Sequence, residues 1–101
     1  LNAYNARDID EFVKCYSDSV EVYSFPNTLQ YKGKGNMRTR YAGFFQKVPR
    51  LHCELVNRIT IGKKVIDREK VTGFPDGRIL NATAIYEVEK GIITRVYFIG
   101  E

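Results

Sequence analysis

The stretch "DREKVTGFPDGRILNATAIYEVEKGIITRVYFI", Asp67 to Ile99, decides the fold. Its runs of β-branched and aromatic residues are broken twice by turn chemistry. Phe74-Pro75-Asp76-Gly77 has a proline that fixes φ and a glycine at the left-handed position, as a type I turn with that ending requires. Val88-Glu89-Lys90-Gly91 reads as a second turn of the same form. Strands joined by such short connections pair antiparallel, so the stretch predicts a meander. Upstream, Gly62-Lys63 splits the run that begins near His52 and adds a further hairpin to it.

Ahead of the meander the pattern is helical. Leu1 to Asn5 reads as a helix and Ala6-Arg7 as a turn. Asp8 then caps a second helix, with Glu11 three residues on in a capping-box-like start. Ile9, Phe12, Val13 and Tyr16 follow helical spacing and mark its buried stripe. Ser19 to Phe25 reads as a strand that stops at Pro26. After a loop containing Gly33 and Gly35, an amphipathic helix is expected from Asn36 to Gln46. Its apolar face is Met37, Tyr41, Phe44, Phe45 and Val48, and Pro49 closes it. Helices first and a meander after predict an α+β fold, with the helices gathered on one face of an antiparallel sheet.

The length of 101 residues allows one domain, 1–101, with one core. The chain opens at Leu1 already in helical pattern, and the reading expects a first helix whose start has been trimmed. Apolar content of 44% and charged content of 28% are those of an ordinary globular protein. The net charge of +4 comes from basic residues scattered along the chain, without a basic block or aromatic nucleic-acid motif. No nucleic-acid partner is therefore expected. No apolar run approaches the roughly 20 residues that span a bilayer, so no membrane role is expected either. Cys15 and Cys53 read as free thiols rather than a disulfide framework, which favours a reducing cytoplasmic location. His52 is the single histidine, so a His-rich metal site is not expected, nor is any cofactor.

The turns allow the ladder to be counted. Phe74 opposite Arg78 sets Arg68 opposite Ala84; Val88 opposite Ile92 sets Ala84 opposite Val96; Ile61 opposite Lys64 sets Asn57 opposite Arg68. Partners share a face. One face then carries Cys53, Leu55, Asn57, Ile59, Arg68, Ala84, Tyr86 and Phe98, and is assigned to the helices. The other carries His52, Val56, Arg58, Asp67, Glu69, Val71, Ile85, Tyr97 and Ile99. Val56, Val71, Ile85, Tyr97 and Ile99 on that outer face are the expected contacts of a homodimer packed sheet to sheet.

Three local strings carry a resemblance. "AYNARDIDEFVKCYSDSVEVYSFP", "YKGKGNMRTRYAGFF" and "EVEKGIITRVYFI" resemble the NTF2-like superfamily, in particular its SnoaL-like and ketosteroid-isomerase-like branch, over nearly the whole chain. The resemblance implies a curved sheet wrapped round helices into a conical cavity, often in a dimer. Its members include isomerases, dehydratases, cyclases, epoxide hydrolases and assembly modules, so the pocket must be checked residue by residue. The isomerase branch places a carboxylate base near the end of the first strand; here that position falls on Ser24 or Phe25. Its oxygen-holding aspartate falls on Ala84, and its tyrosine falls before Leu1. The cyclase type pairs a His with an Asp, but His52 is expected on the outer face. The epoxide-hydrolase type needs an Asp-Arg-Asp set. Arg68 is expected inside, with Asp67 and Glu69 outside unless a bulge intervenes.

The expected pocket is therefore Asn57, Arg68 and Tyr86, with Ser24, Phe25, Tyr41, Phe45, Ala84 and Phe98 around them. An arginine among apolar walls needs an anion or an acid partner. The leading expectation is a SnoaL-like protein that binds a small, largely apolar oxygenated molecule. The alternatives are an isomerase, cyclase or hydrolase lacking the usual Asp base, and a protein-assembly module.

Overall fold

A computed structural model describes residues 2–100 of the chain; the expected helical position of Leu1 lies outside them. The elements run α1 (Asn2–Asn5), α2 (Ile9–Val13), β1 (Tyr16–Ser24), β2 (Thr28–Lys32), α3 (Lys34–Lys47), β3 (His52–Ile61), β4 (Lys64–Thr72), β5 (Leu80–Glu89) and β6 (Ile92–Ile99). The strands form one sheet in the order β2-β1-β6-β5-β4-β3. All neighbours are antiparallel except β1 and β6, the second and third strands of that order, which run parallel. The meander is present as expected, and the whole is mixed α+β.

The helices start where their caps allow. Asp8 accepts a hydrogen bond from the Glu11 backbone N–H at 3.2 Å, which satisfies one of the orphan donors of α2. α2 lasts only to Val13, and Tyr16, expected on its stripe, is the first residue of β1. It is buried all the same, because the chain enters the sheet beneath the helices. β2 falls where a loop was expected: "TLQYK" offers too short an alternation to announce a strand, and its pairing with β1 supplies the order. α3 begins just after Gly33, whose φ of 96° no β-carbon tolerates easily, and Gly35 lies inside the helix. Met37, Phe45 and Val48 drive its apolar stripe into the core with Val20, Val22, Leu51 and Val96.

Two contacts tie the N-terminal helices to the sheet's β3 edge. The Asn5 side chain accepts from the Cys53 N–H at 2.7 Å and donates to the Cys53 carbonyl at 3.1 Å, pairing with the edge as a strand would. Arg7 donates to the Leu51 carbonyl at 2.8 Å. At the end of β4, Gly73 has φ 96°, and a β-carbon there would lie 1.9 Å from the Arg50 carbonyl oxygen. Only glycine lets these two backbones touch.

The counted register fails most consequentially between β4 and β5, where the failure inverts the functional reading. β4 pairs with β5 so that Val71 meets Leu80, Asp67 meets Ala84 and Arg68 meets Thr83. The expected pairing, Arg68 with Ala84, is off by one. Its cause is local: the Phe74–Gly77 turn forms, with Gly77 donating to the Phe74 carbonyl at 2.9 Å. It sits inside a longer connection between Thr72 and Leu80, so the turn does not propagate its register into the ladder. A one-residue slip turns every side chain of a strand to the other face. β4 thus presents Asp67, Glu69 and Val71 to the helices and Arg68 to the outside.

A bulge between Leu55 and Asn57 does the same to half of β3. Cys53 and Leu55 point toward the helices as expected. Past the bulge Arg58 and Thr60 do so, and Asn57 and Ile59 face out. β6 keeps its expected faces, although Ala84 meets Phe98 rather than the expected Val96, a displacement of two residues. Its turn from β5 is tighter than expected, with Glu89 opposite Ile92 and both Lys90 and Gly91 at positive φ, the type I′ geometry.

Candidate functional site

The concave face of the sheet and the helices enclose a cavity of about 650 Å³. β4 contributes Val65, Asp67, Glu69 and Val71; β3 contributes Cys53, Arg58 and Thr60; β5 and β6 add Ala82, Tyr86, Ile93 and Phe98. Tyr4, Phe12, Tyr41 and Phe44 close it from the helices, and Gln30, Tyr31 and Arg40 from the β2 side. The volume suits a small organic molecule, and the walls are mainly apolar with a few converging polar groups.

The polar groups form one connected cluster on β3 and β4. Arg58 grips Asp67 with two parallel bonds, Nε to Oδ1 at 2.7 Å and Nη2 to Oδ2 at 2.8 Å. Asp67 is buried, whereas half of the Arg58 side chain is exposed, so the guanidinium covers the carboxylate from the solvent side. This fork-on-fork pairing fixes the carboxylate's orientation as well as its charge environment.

Glu69 follows on the same face two residues along the strand. Its Oε2 accepts from the Cys53 thiol at 3.4 Å. Burial pushes its pKa above the usual carboxylate range, Asp67 adds to the rise, and the thiol's hydrogen bond and Arg58 pull back. Burial first, and the Glu69 charge second, push the Cys53 thiol up to about 12, so it stays a protonated donor. Burial likewise raises Tyr4, Tyr16, Tyr41 and Tyr86, whose hydroxyls remain neutral. The cavity thus offers one carboxylate clamped by an arginine, a second that holds its proton more tightly than an exposed glutamate, and neutral phenols. Such a pair of acids in unlike surroundings is the arrangement that general acid–base chemistry uses.

Of the residues expected in the pocket, Tyr41, Tyr86 and Phe98 line it. Arg68 and Asn57 do not: they face each other on the outer side of the sheet, carried there by the register slip and the bulge. Phe45 and Ala84 are buried in the core behind the lining, at 6% and 0% exposure. Ser24 ends β1 and accepts from Gln30 at 2.9 Å, and Phe25 is more than half exposed beyond it. Neither lines the cavity. Of the expected dimer contacts, Val71 is a core and cavity residue, again through the slip, and Val56 stands exposed at the bulge. Ile85, Tyr97 and Ile99 lie on the outer face. His52 is exposed at the start of β3.

Sequence reasoning missed Arg58, Asp67 and Glu69 as one site. The available signal was chemical but weak: Asp67 and Glu69 alternate with Arg68 between valines, and a register that turns the acids inward satisfies them only if an arginine such as Arg58 turns inward beside them. Among the described residues, no group of three or more His, Cys, Asp or Glu side chains is placed to hold a metal ion. No helix among them is long and apolar enough to cross a membrane.

Comparison with known proteins places this geometry in a family. A solved "cystatin fold protein" from Novosphingobium aromaticivorans is 31% identical, with a TM-score of 0.88, over 97% of this chain and 89% of its own. A SnoaL-like protein of unknown function from Burkholderia thailandensis is 19% identical, with a TM-score of 0.80, over 96% and 83% of the two chains. An LEH-like epoxide hydrolase from M. tuberculosis is 16% identical, with a TM-score of 0.83, over 100% and 76%. These last two likenesses speak for the cystatin-like, NTF2-like fold alone. No curated protein matches the chain. The family model described as a SnoaL-like domain matches residues 1–96, and with that match over almost its whole length the chain belongs to the SnoaL-like domain family.

Proposed function

We propose that the chain binds a small, largely apolar oxygenated molecule in its cavity and transfers protons to and from it through Glu69 and Asp67. The observation that carries this reading is the pair of buried acids side by side on the cavity face of β4, one clamped by Arg58. Two inward-facing carboxylates are costly to fold around, and a core needing only packing would hold apolar residues there.

The reaction this arrangement fits best is the opening of an epoxide by water. A water oxygen attacks a ring carbon while Asp67, aimed by Arg58, takes the water's proton. The carbon–oxygen bond breaks as Glu69 gives its proton to the departing oxygen, and a vicinal diol results. A proton passed back from Asp67 to Glu69, directly or through solvent, resets the pair. The likeness in fold to an LEH-like epoxide hydrolase is consistent with this choice. Isomerisation by a base at the end of β1 is not supported, since Ser24 and Phe25 offer no base and lie away from the cavity.

The test is diol formation from styrene oxide and cyclohexene oxide, beside solvent-deuterium exchange into enones and β-keto esters. Diol is expected, with the rate falling at least about 100-fold in Glu69→Gln and in Asp67→Asn, the usual size of a lost acid or base. Silence on both panels would remove the enzymatic reading. Exchange without hydrolysis would replace epoxide opening with isomerisation.

We also propose a homodimer joined through the outer sheet face. The registers align Leu29, Tyr23, Tyr97, Ile85, Ile66 and Ile59 in one row across all the strands. Tyr23 and Tyr97 stack at 5.0 Å within it, and Leu29 and Ile59 at its ends are more than half exposed. A partner sheet of the same kind would cover such a stripe.

A further inference from the structure

Four charged side chains line the cavity: Arg40, Arg58, Asp67 and Glu69. Arg58 and Asp67 answer each other, and Glu69 is an acid with a thiol donor. Arg40 is different. Its guanidinium lies over the Tyr31 ring, 4.3 Å from the centroid, and no carboxylate among the described residues lies within ion-pair distance of it. Its neighbours in sequence behave otherwise: Arg38 pairs with Asp10, and Lys34 with Asp18. Stacking engages the face of a guanidinium and leaves its N–H edge free to grip a carboxylate. Arg40 shares its helix face with Phe44 one turn on, and both line the cavity. Arg40 and Gln30 are exposed, so they stand at a mouth, on the β2 side. The acids stand on β4, four strand steps away in the sheet order.

We propose that Arg40 is an anion subsite at the cavity mouth, and that the ligand is an amphipathic acid. Its carboxylate is held by Arg40, its apolar body fills the cavity, and its oxygenated far end meets Glu69 and Asp67. This rests on the cavity being the ligand site, as proposed above, and adds the ligand's polarity and orientation. A carboxylate at the other end of the cavity would meet Asp67 and Glu69, which disfavour it. An alcohol or hydrocarbon of the same length would leave Arg40 with nothing to bind.

Calorimetry with decanoate and decanol tests it. Decanoate is expected to bind roughly tenfold tighter or better, the size of one charge-assisted contact at a partly exposed site. Arg40→Met should erase that preference and leave decanol affinity unchanged, while Arg40→Lys should keep most of it. Equal affinities in the wild type, or a preference that survives Arg40→Met and vanishes in Arg58→Met, would overturn the subsite. Equal binding of both probes leaves the cavity reading standing, whereas binding of neither overturns both.

Discussion

Glu69 is the residue on which the functional and energetic accounts meet. Its carboxyl holds a proton more tightly in the folded chain than in the unfolded one, mainly through burial. Below the ordinary glutamate value of 4.5 both states are protonated and Glu69 costs nothing. As pH rises past that value the unfolded chain releases its proton first, and the folded state loses stability until its own pKa is passed. Glu69→Gln removes that loss. The variant should therefore melt above the wild type near about pH 8, with the advantage shrinking toward about pH 4. An advantage that does not change with pH would mean that Glu69 is not buried as described. Gained stability with lost activity is the exchange expected of a group kept for chemistry. At this scale the sequence was least legible. Which of Asp67, Arg68 and Glu69 turns inward hangs on one residue of register, and residue types alone leave both answers open.

The elements were more legible because their signals are local. The Asp8 cap, the Pro49 stop and the Gly62 turn each act within a few residues and form where they were read, and the Gly91 turn forms one residue tighter. β2 was missed because its strand character comes from β1 beside it. The bulge at Val56 was also illegible in position, since nothing in "LVNRI" demands an extra residue; the need arises from bringing Arg58 over Asp67. The docking of α1 on the β3 edge yields a prediction of its own. Asn5→Ala strips both backbone bonds to Cys53 and should cost roughly 1–3 kcal/mol, since the edge groups are half-buried. Chemical denaturation checks it, and an unchanged midpoint would show that the edge is satisfied without Asn5. Cys53 lines the cavity beside Glu69, so the same substitution should loosen the acid site.

For the whole molecule, the α+β class was legible because helices-then-meander is a pattern spread over the entire chain, which a register error does not erase; the cone was legible only through the family resemblance. The same error moved Val71 from the outer face into the core, yet Ile85 and Tyr97 stay outside in a row that the corrected register makes continuous. Light scattering at high micromolar concentration should find a dimer, and Ile85→Asp should give a folded monomer; a monomeric wild type would remove the sheet-face proposal. The chain's two faces would then divide the work, the convex one for assembly and the concave one for chemistry. The most direct test of that chemistry is the rate of diol formation from styrene oxide, wild type against Glu69→Gln. The account predicts diol from the wild type and a rate at least about 100-fold lower in the folded variant. Equal rates in the two proteins, or no diol from the wild type, would contradict it.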